Sequence, residues 1–201
     1  PKAHACVKAT MRFDPSPLAA ELRVGVFAPH TPKQYDAWIR FSNGAPEGAT
    51  AHDLEKDVRG MAVKLMNVPE ASSGSQDFVM INAAEFFSKD GKDYLDLHEA
   101  ISGSTAHLIW YGVTHPRSAS RILNARIQIG HPLFVNYFSS VPYKLGPRSM
   151  RFGVRPCQME NHPLPKKNGP KNYLRERLVS TLAQKDGCFD FYVQPNMDTR
   201  N

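Results

Sequence analysis

A chain of 201 residues is long enough for one substantial core, and no stretch has the composition of an inter-domain linker, so a single domain over residues 1–201 is expected. With 41% hydrophobic and 22% charged residues and no apolar run long enough to cross a bilayer, the sequence excludes a disordered chain and a helical membrane protein. The net charge of +6 would suit an anionic partner, but Lys and Arg are scattered rather than gathered in a stripe with aromatics, so neither nucleic acid nor a membrane is expected as a partner.

The chain begins at Pro1-Lys2 rather than at a methionine, so its true start and any targeting segment are expected upstream. Cys6, Cys157 and Cys188 are an odd number without Cys-x-x-Cys spacing, which argues against a zinc site and a disulfide framework. A cytoplasmic location fits this, and a periplasmic one stays open.

His4 to Phe13 alternates in polarity and predicts a strand with His4 at its start. Ser16-Pro17 reads as a helix cap before a short helix over Leu18–Val24, which Gly25 and Pro29 end. Tyr35 to Ser42 is a second strand, running through Trp38-Ile39-Arg40-Phe41-Ser42 into the turn residues Asn43-Gly44. Side chains alternate across a strand, so Arg40 and Ser42 share one face with Trp38, while Ile39 and Phe41 take the other. A cation and a hydroxyl beside a tryptophan suit the lining of a site; an ordinary exposed strand face is the alternative.

A polar loop over 44–55 leads to a strand over Asp57–Met66, whose Gly60 and Ala62 leave room for a close neighbour. The apolar run Asp77–Asn82 predicts a buried strand that delivers Asn82 to an edge of the core. Tyr94, Leu97, His98 and Ile101 mark one face of a helix ended by Gly103, and helical spacing returns over Ser118–Ile129. Met150 to Val154 is a strand stopped by Pro156. Leu174, Leu178 and Leu182 mark a helix closed by Gly187, and Phe189, Phe191 and Val193 form a last strand. Strands joined by loops too short for parallel crossovers, with helical insertions, indicate an α+β domain on an antiparallel sheet or barrel.

His4, the pair Arg40 and Ser42, and Asn82 are the polar groups on or beside core strands. A histidine that carries a proton needs a partner to fix its tautomer, and an amide can hold a polar substrate atom. A capped strand end and a satisfied core amide are the bland reading of the same residues. His98, His107 and His115 lack the spacing of a metal site, Ser42 lacks a nucleophile-elbow setting, and the glycines at 44, 48 and 60 match no phosphate-cradling pattern.

These residues resemble the catalase family of haem proteins, in its shorter catalase-related peroxidase branch. His4-Ala5, Arg40-Phe41-Ser42, the run from Asp57 through Arg59-Gly60 to Lys64, and Asn82 followed by Phe86-Phe87 stand in the family's order, and Pro142 to Gly146 and Arg151 to Pro156 resemble a strand returning to its barrel. The resemblance implies a catalase-type antiparallel β-barrel with helical insertions, incomplete in this chain, and haem b as cofactor. His4 would be the distal histidine, Asn82 the distal amide, Ser42 the hydrogen-bond partner of the histidine ring and Arg40 the partner of a haem propionate. Pro1 stands where the family carries an arginine, leaving Lys2 as the nearby charge. The metal ligand is expected to be a tyrosine beyond Asn201, since no tyrosine here follows an arginine by four positions.

The implied activity is reduction of hydrogen peroxide or an organic peroxide, with an organic electron donor as a further partner and a homo-oligomer as an open state. A haem-binding stress protein without turnover and a hydroperoxide-rearranging enzyme of the allene oxide synthase kind are the alternatives.

Overall fold

The computed structural model describes residues 1–44 and 50–196; Gly48 and part of the 44–55 loop lie outside them. Among the described residues, eight strands form one antiparallel sheet: β1 (Lys2–Phe13), β2 (Lys33–Asn43), β3 (Arg59–Met66), β4 (Ser75–Ile81), β5 (Tyr137–Phe138), β6 (Tyr143–Leu145), β7 (Arg148–Pro156) and β8 (Phe189–Pro195). They run in the order β1-β2-β3-β4-β5-β7-β6, with β8 also on β7, so the sheet curls without closing. The α+β antiparallel architecture read from the sequence is the one observed. Helices α1 (Gly91–Ser102), α2 (Thr105–Thr114) and α3 (Pro116–Ala125) are inserted between β4 and β5, and α4 (Tyr173–Leu182) between β7 and β8.

Register explains the core. Ala5, Phe41, Met61 and Met80 lie on one rung of the inner face, and Val7, Ile39, Val63 and Phe78 on the next. Phe13 from β1 meets Phe78 and Phe191 at ring-centroid distances of 6.2 and 5.6 Å, so strands far apart in the sheet order share one interior. Removing such side chains from water is the main stabilising term.

Four expectations need correction. Residues 18–24 form no α-helix: Ser16 bonds to Asp14, Val24 is extended and Gly25 turns at φ +57°, so the expected helix shrinks to a three-residue 3-10 turn at Ala20–Leu22, followed by another at Gly25–Phe27, and Leu22, Val26 and Phe27 plug the interior. The α1 face that packs inward is Asp93, Leu97 and Ala100, not Tyr94 and Ile101, because a buried carboxylate there gathers Tyr111 Oη at 2.7 Å and Ser118 Oγ at 2.6 Å. Helix α3 stops at Ala125, since Ile127 pairs with Asp57 in a β-bridge and Ile129 turns into a second cluster with Tyr173 and Leu174. Cys157 and Cys188 form a disulfide with Cα atoms 5.5 Å apart. They follow and precede the β7–β8 pair Pro156–Phe189, so strand pairing brings together residues whose spacing in sequence carries no signal.

Helix α2 has no amphipathic period to betray it. It holds no charged residue, and Ile109, Trp110 and Val113 are all exposed.

Candidate functional site

The rung beyond Phe41 on the inner face is polar. Lys2, Asn43 and Arg59 stand opposite one another in register, each almost wholly buried. A bulge in β1 sits beside them. Ala3 pairs with Ser42 and Ala5 with Phe41, which leaves His4 as the extra residue, free of the strand's alternation.

The His4 ring is buried, with Nε2 2.8 Å from Asn43 Oδ1 and Nδ1 3.7 Å from Asp53 Oδ1. Lys2 Nζ donates to Asp53 Oδ1 at 2.6 Å and to the Ala51 carbonyl at 2.8 Å, while the Leu174 N–H at the start of α4 donates to Asp53 Oδ2 at 3.0 Å. His4 Nδ1 has no hydrogen-bond partner among the described residues. Burial lowers the pKa of His4, as do Lys2 and Arg59, against the pull of Asn43 and Asp53. The ring is therefore a neutral base with one bare nitrogen.

Arg40 and Ser42 occupy the outer face, as the alternation of β2 requires. The expected bond from Ser42 to the His4 ring is not formed, because the bulge directs that ring to Asn43 on the inner rung. Around Arg40 and Ser42 the outer face is made of small residues. One row reads Ala3, Ser42, Gly60, Ile81 and the next Cys6, Arg40, Ala62, Val79. A Cβ on Gly60 would lie 2.9 Å from Ser42 Oγ, so glycine is what lets the hydroxyl lie across the sheet. The third row, Lys8, Trp38, Lys64 and Asp77, brings further cations to the edge of this shelf.

Asn82 reaches the core edge as expected, where its amide ties two elements together. Its Oδ1 accepts from the Arg59 N–H at 2.7 Å and its Nδ2 donates to the Ala125 carbonyl at 2.8 Å. The structure thus brings His4 to Asn43, Asp53, Lys2 and Arg59, and holds Arg40 and Ser42 on the opposite face of the same strands. Asn43 and Arg59 were legible by parity: each continues the inward set of its strand, after Phe41 and before Met61, where a polar side chain has to be explained. Asp53 comes from a loop and carried no such signal.

Residues 20–108 match the family model for catalase. That span holds Arg40, Ser42, Asn43, Asp53, Arg59 and Asn82, and leaves out His4. No curated protein matches the sequence. Among solved structures, a fungal catalase matches with a TM-score of 0.71 at 15% identity, and catalase A from Saccharomyces cerevisiae with 0.68 at 16%. Each match covers 98% of this chain and 44% of the catalase, so the chain spans under half the length of the structures it resembles. At that identity the likeness establishes a catalase-like fold.

The catalase fold implies haem. The outer shelf fits a flat apolar acid: Ala3, Gly60, Ala62 and Val79 surround Arg40, which is there to meet a carboxylate, while the ring of His4 lies on the inner side of the same strands. Axial ligation is a separate matter. No cluster of three or more His, Cys, Asp or Glu among the described residues could hold a metal ion. Tyr35, Tyr111, Tyr137, Tyr173 and Tyr192 all have raised pKa values, burial being the first cause in each, which favours the neutral phenol over a tyrosinate.

Proposed function

We propose that this chain belongs to the catalase family and is the sheet-bearing part of a haem-dependent hydroperoxidase that reduces hydrogen peroxide or an organic peroxide. The observation that carries the reading is His4, a buried neutral histidine with an unpartnered Nδ1, set in a bulge of the strand whose outer face, with its neighbours, presents Arg40. Haem, when bound, supplies the iron at which the peroxide O–O bond breaks. His4, among the described residues the one buried base with an unpartnered ring nitrogen, would take the hydroperoxide proton and return it to the leaving oxygen, a service worth roughly 10²–10⁴-fold. Arg40 would hold a propionate by a charge-assisted contact, and Gly60, Ala62 and Val79 would leave room for the apolar plane. Asn82 has given one of its two amide hydrogens to Ala125 and has the other with which to steady a peroxide oxygen.

The bond from the His4 ring to Asn43 favours a second reading, a haem-binding protein without turnover, because a proton carrier must be free to meet its substrate. Haemin titration of the protein followed by peroxide assay separates the two. A Soret band with peroxide consumption supports the hydroperoxidase, a Soret band alone supports the second reading, and no stoichiometric binding overturns both.

A further inference from the structure

Asn43 Oδ1 is approached from two sides. Arg59 Nη1 donates to it at 2.5 Å, and His4 Nε2 lies 2.8 Å away. A guanidinium carries donors only, so the atom that faces Arg59 is the amide oxygen, and an amide oxygen can only accept. The nitrogen on its other side must therefore bear a hydrogen. Arg59 cannot easily turn away. Its Nε and Nη2 reach the Ile127 carbonyl at 3.1 and 2.8 Å, and Nη2 also donates to the carbonyls of Glu55 at 2.7 Å and Asp53 at 3.3 Å.

We propose that Arg59 and Asn43 are positioning residues that lock His4 in its Nε2–H tautomer and leave Nδ1, facing Asp53, as its site of protonation. The catalytic meaning of this rests on the reading of His4 as a proton carrier; the tautomer itself does not.

Among the described residues, the charged and titratable groups around the ring have defined parts. Asp53, from the loop before β3, favours a proton on Nδ1 at 3.7 Å. Lys2 from β1 and Arg59 from β3 oppose it. From α4, Arg175 Nη1 donates to the His4 carbonyl at 2.9 Å, and Tyr173 Oη donates to the Ile129 carbonyl at 2.7 Å and stays neutral. Burial, with Lys2 and Arg59 adding to it, keeps the ring uncharged until a proton is delivered, and Asp53 then faces the new N–H.

Multiple-bond nitrogen–proton NMR spectra of the eight histidines, with His4 assigned by the signals lost in His4→Gln, test this directly. At neutral pH the His4 ring should show a protonated Nε2 and a bare Nδ1. Asp53→Asn should weaken proton binding by about tenfold or more without moving the hydrogen. Asn43→Leu should release the ring into a mixture of tautomers. Asn43→Asp, which keeps the shape and adds charge, should retain the tautomer and strengthen proton binding by about tenfold or more. A wild-type ring with its hydrogen on Nδ1 overturns the proposal, as does an unmixed tautomer in folded Asn43→Leu. Should Asn43→Leu fail to fold, the isosteric Asn43→Asp decides: an unchanged titration midpoint overturns it. None of these spectra requires haem or peroxide, so absence of turnover would count against the proposed function and leave the tautomer assignment standing.

Discussion

Lys2 Nζ meets Asp53 Oδ1 at 2.6 Å, with the two side chains 7% and 0% exposed. The pair joins the first residue of β1 to a loop that also caps the start of α4 through Leu174, so it holds three separate parts of the chain at one end of the sheet. Removing one partner leaves the other charged and buried, which typically costs about 3–5 kcal/mol. Lys2→Met should show a loss of that size in urea denaturation. Replacing both partners, in Lys2→Met with Asp53→Leu, should cost less than the two single losses added, and a strictly additive result would mean that the two charges do not interact.

His131 makes the fold acid-sensitive. Its ring is buried, with Nδ1 accepting from the Leu133 N–H at 3.1 Å and Nε2 3.0 Å from Thr181 Oγ1, and burial lowers its pKa from 6.5 to about 4. The folded form therefore binds its proton more weakly than the unfolded chain, and the stability it contributes is present above about pH 6.5 and is lost as pH falls through about 4. The full effect is on the order of 3 kcal/mol. His4, also lowered, adds to the same slope. Urea midpoints measured across this range should fall steeply for the wild type and less steeply for His131→Gln. Equal slopes would show that His131 is not the group responsible.

The Cys157–Cys188 disulfide closes a loop of 31 residues that contains α4. Chain-entropy reasoning gives about 3–4 kcal/mol for a loop of that length. Both cysteines are exposed, so a thiol reductant should reach them without unfolding. Reduction, or the Cys157→Ser variant, should lower the denaturation midpoint and increase hydrogen exchange first in β8 and α4. A midpoint that does not move would mean that the bridge constrains nothing the fold has not already fixed.

How much of this could be read from the sequence depends on which physical signal was local. The strands were legible because burial alternates along them: Met61, Val63 and Leu65 are buried and their neighbours are not, a period-two pattern within a few residues. Helix α4 was legible from Leu174 and Leu178, both fully buried one turn apart. What failed was decided at a distance. The bulge that turns His4 toward Asn43 depends on register with β2, the disulfide on the pairing of β7 with β8, and the role of Asp53 on Lys2 and Leu174, 51 and 121 residues away. Placing Arg40 and Ser42 on one face needed only strand geometry. Linking Ser42 to the His4 ring needed the bulge as well, and there the inference broke.

That distinction orders the last prediction, for the haem-supplemented protein. His4→Gln should slow peroxide consumption by roughly 10²–10⁴-fold, because the proton carrier is lost. Ser42→Ala should be far milder, about tenfold or less, since its hydroxyl lies on the outer face and makes no bond to the ring that Asn43 already orients. Arg40→Leu should act on affinity instead, because it removes one charged hydrogen bond worth about 1.5–3 kcal/mol, which is roughly a 10–150-fold weaker haemin dissociation constant. Stopped-flow peroxide assays and haemin titrations separate the three. If Ser42→Ala were as damaging as His4→Gln, the working histidine would be one that has left Asn43 and turned to the outer face, and Asn43 would then hold the resting ring rather than the active one.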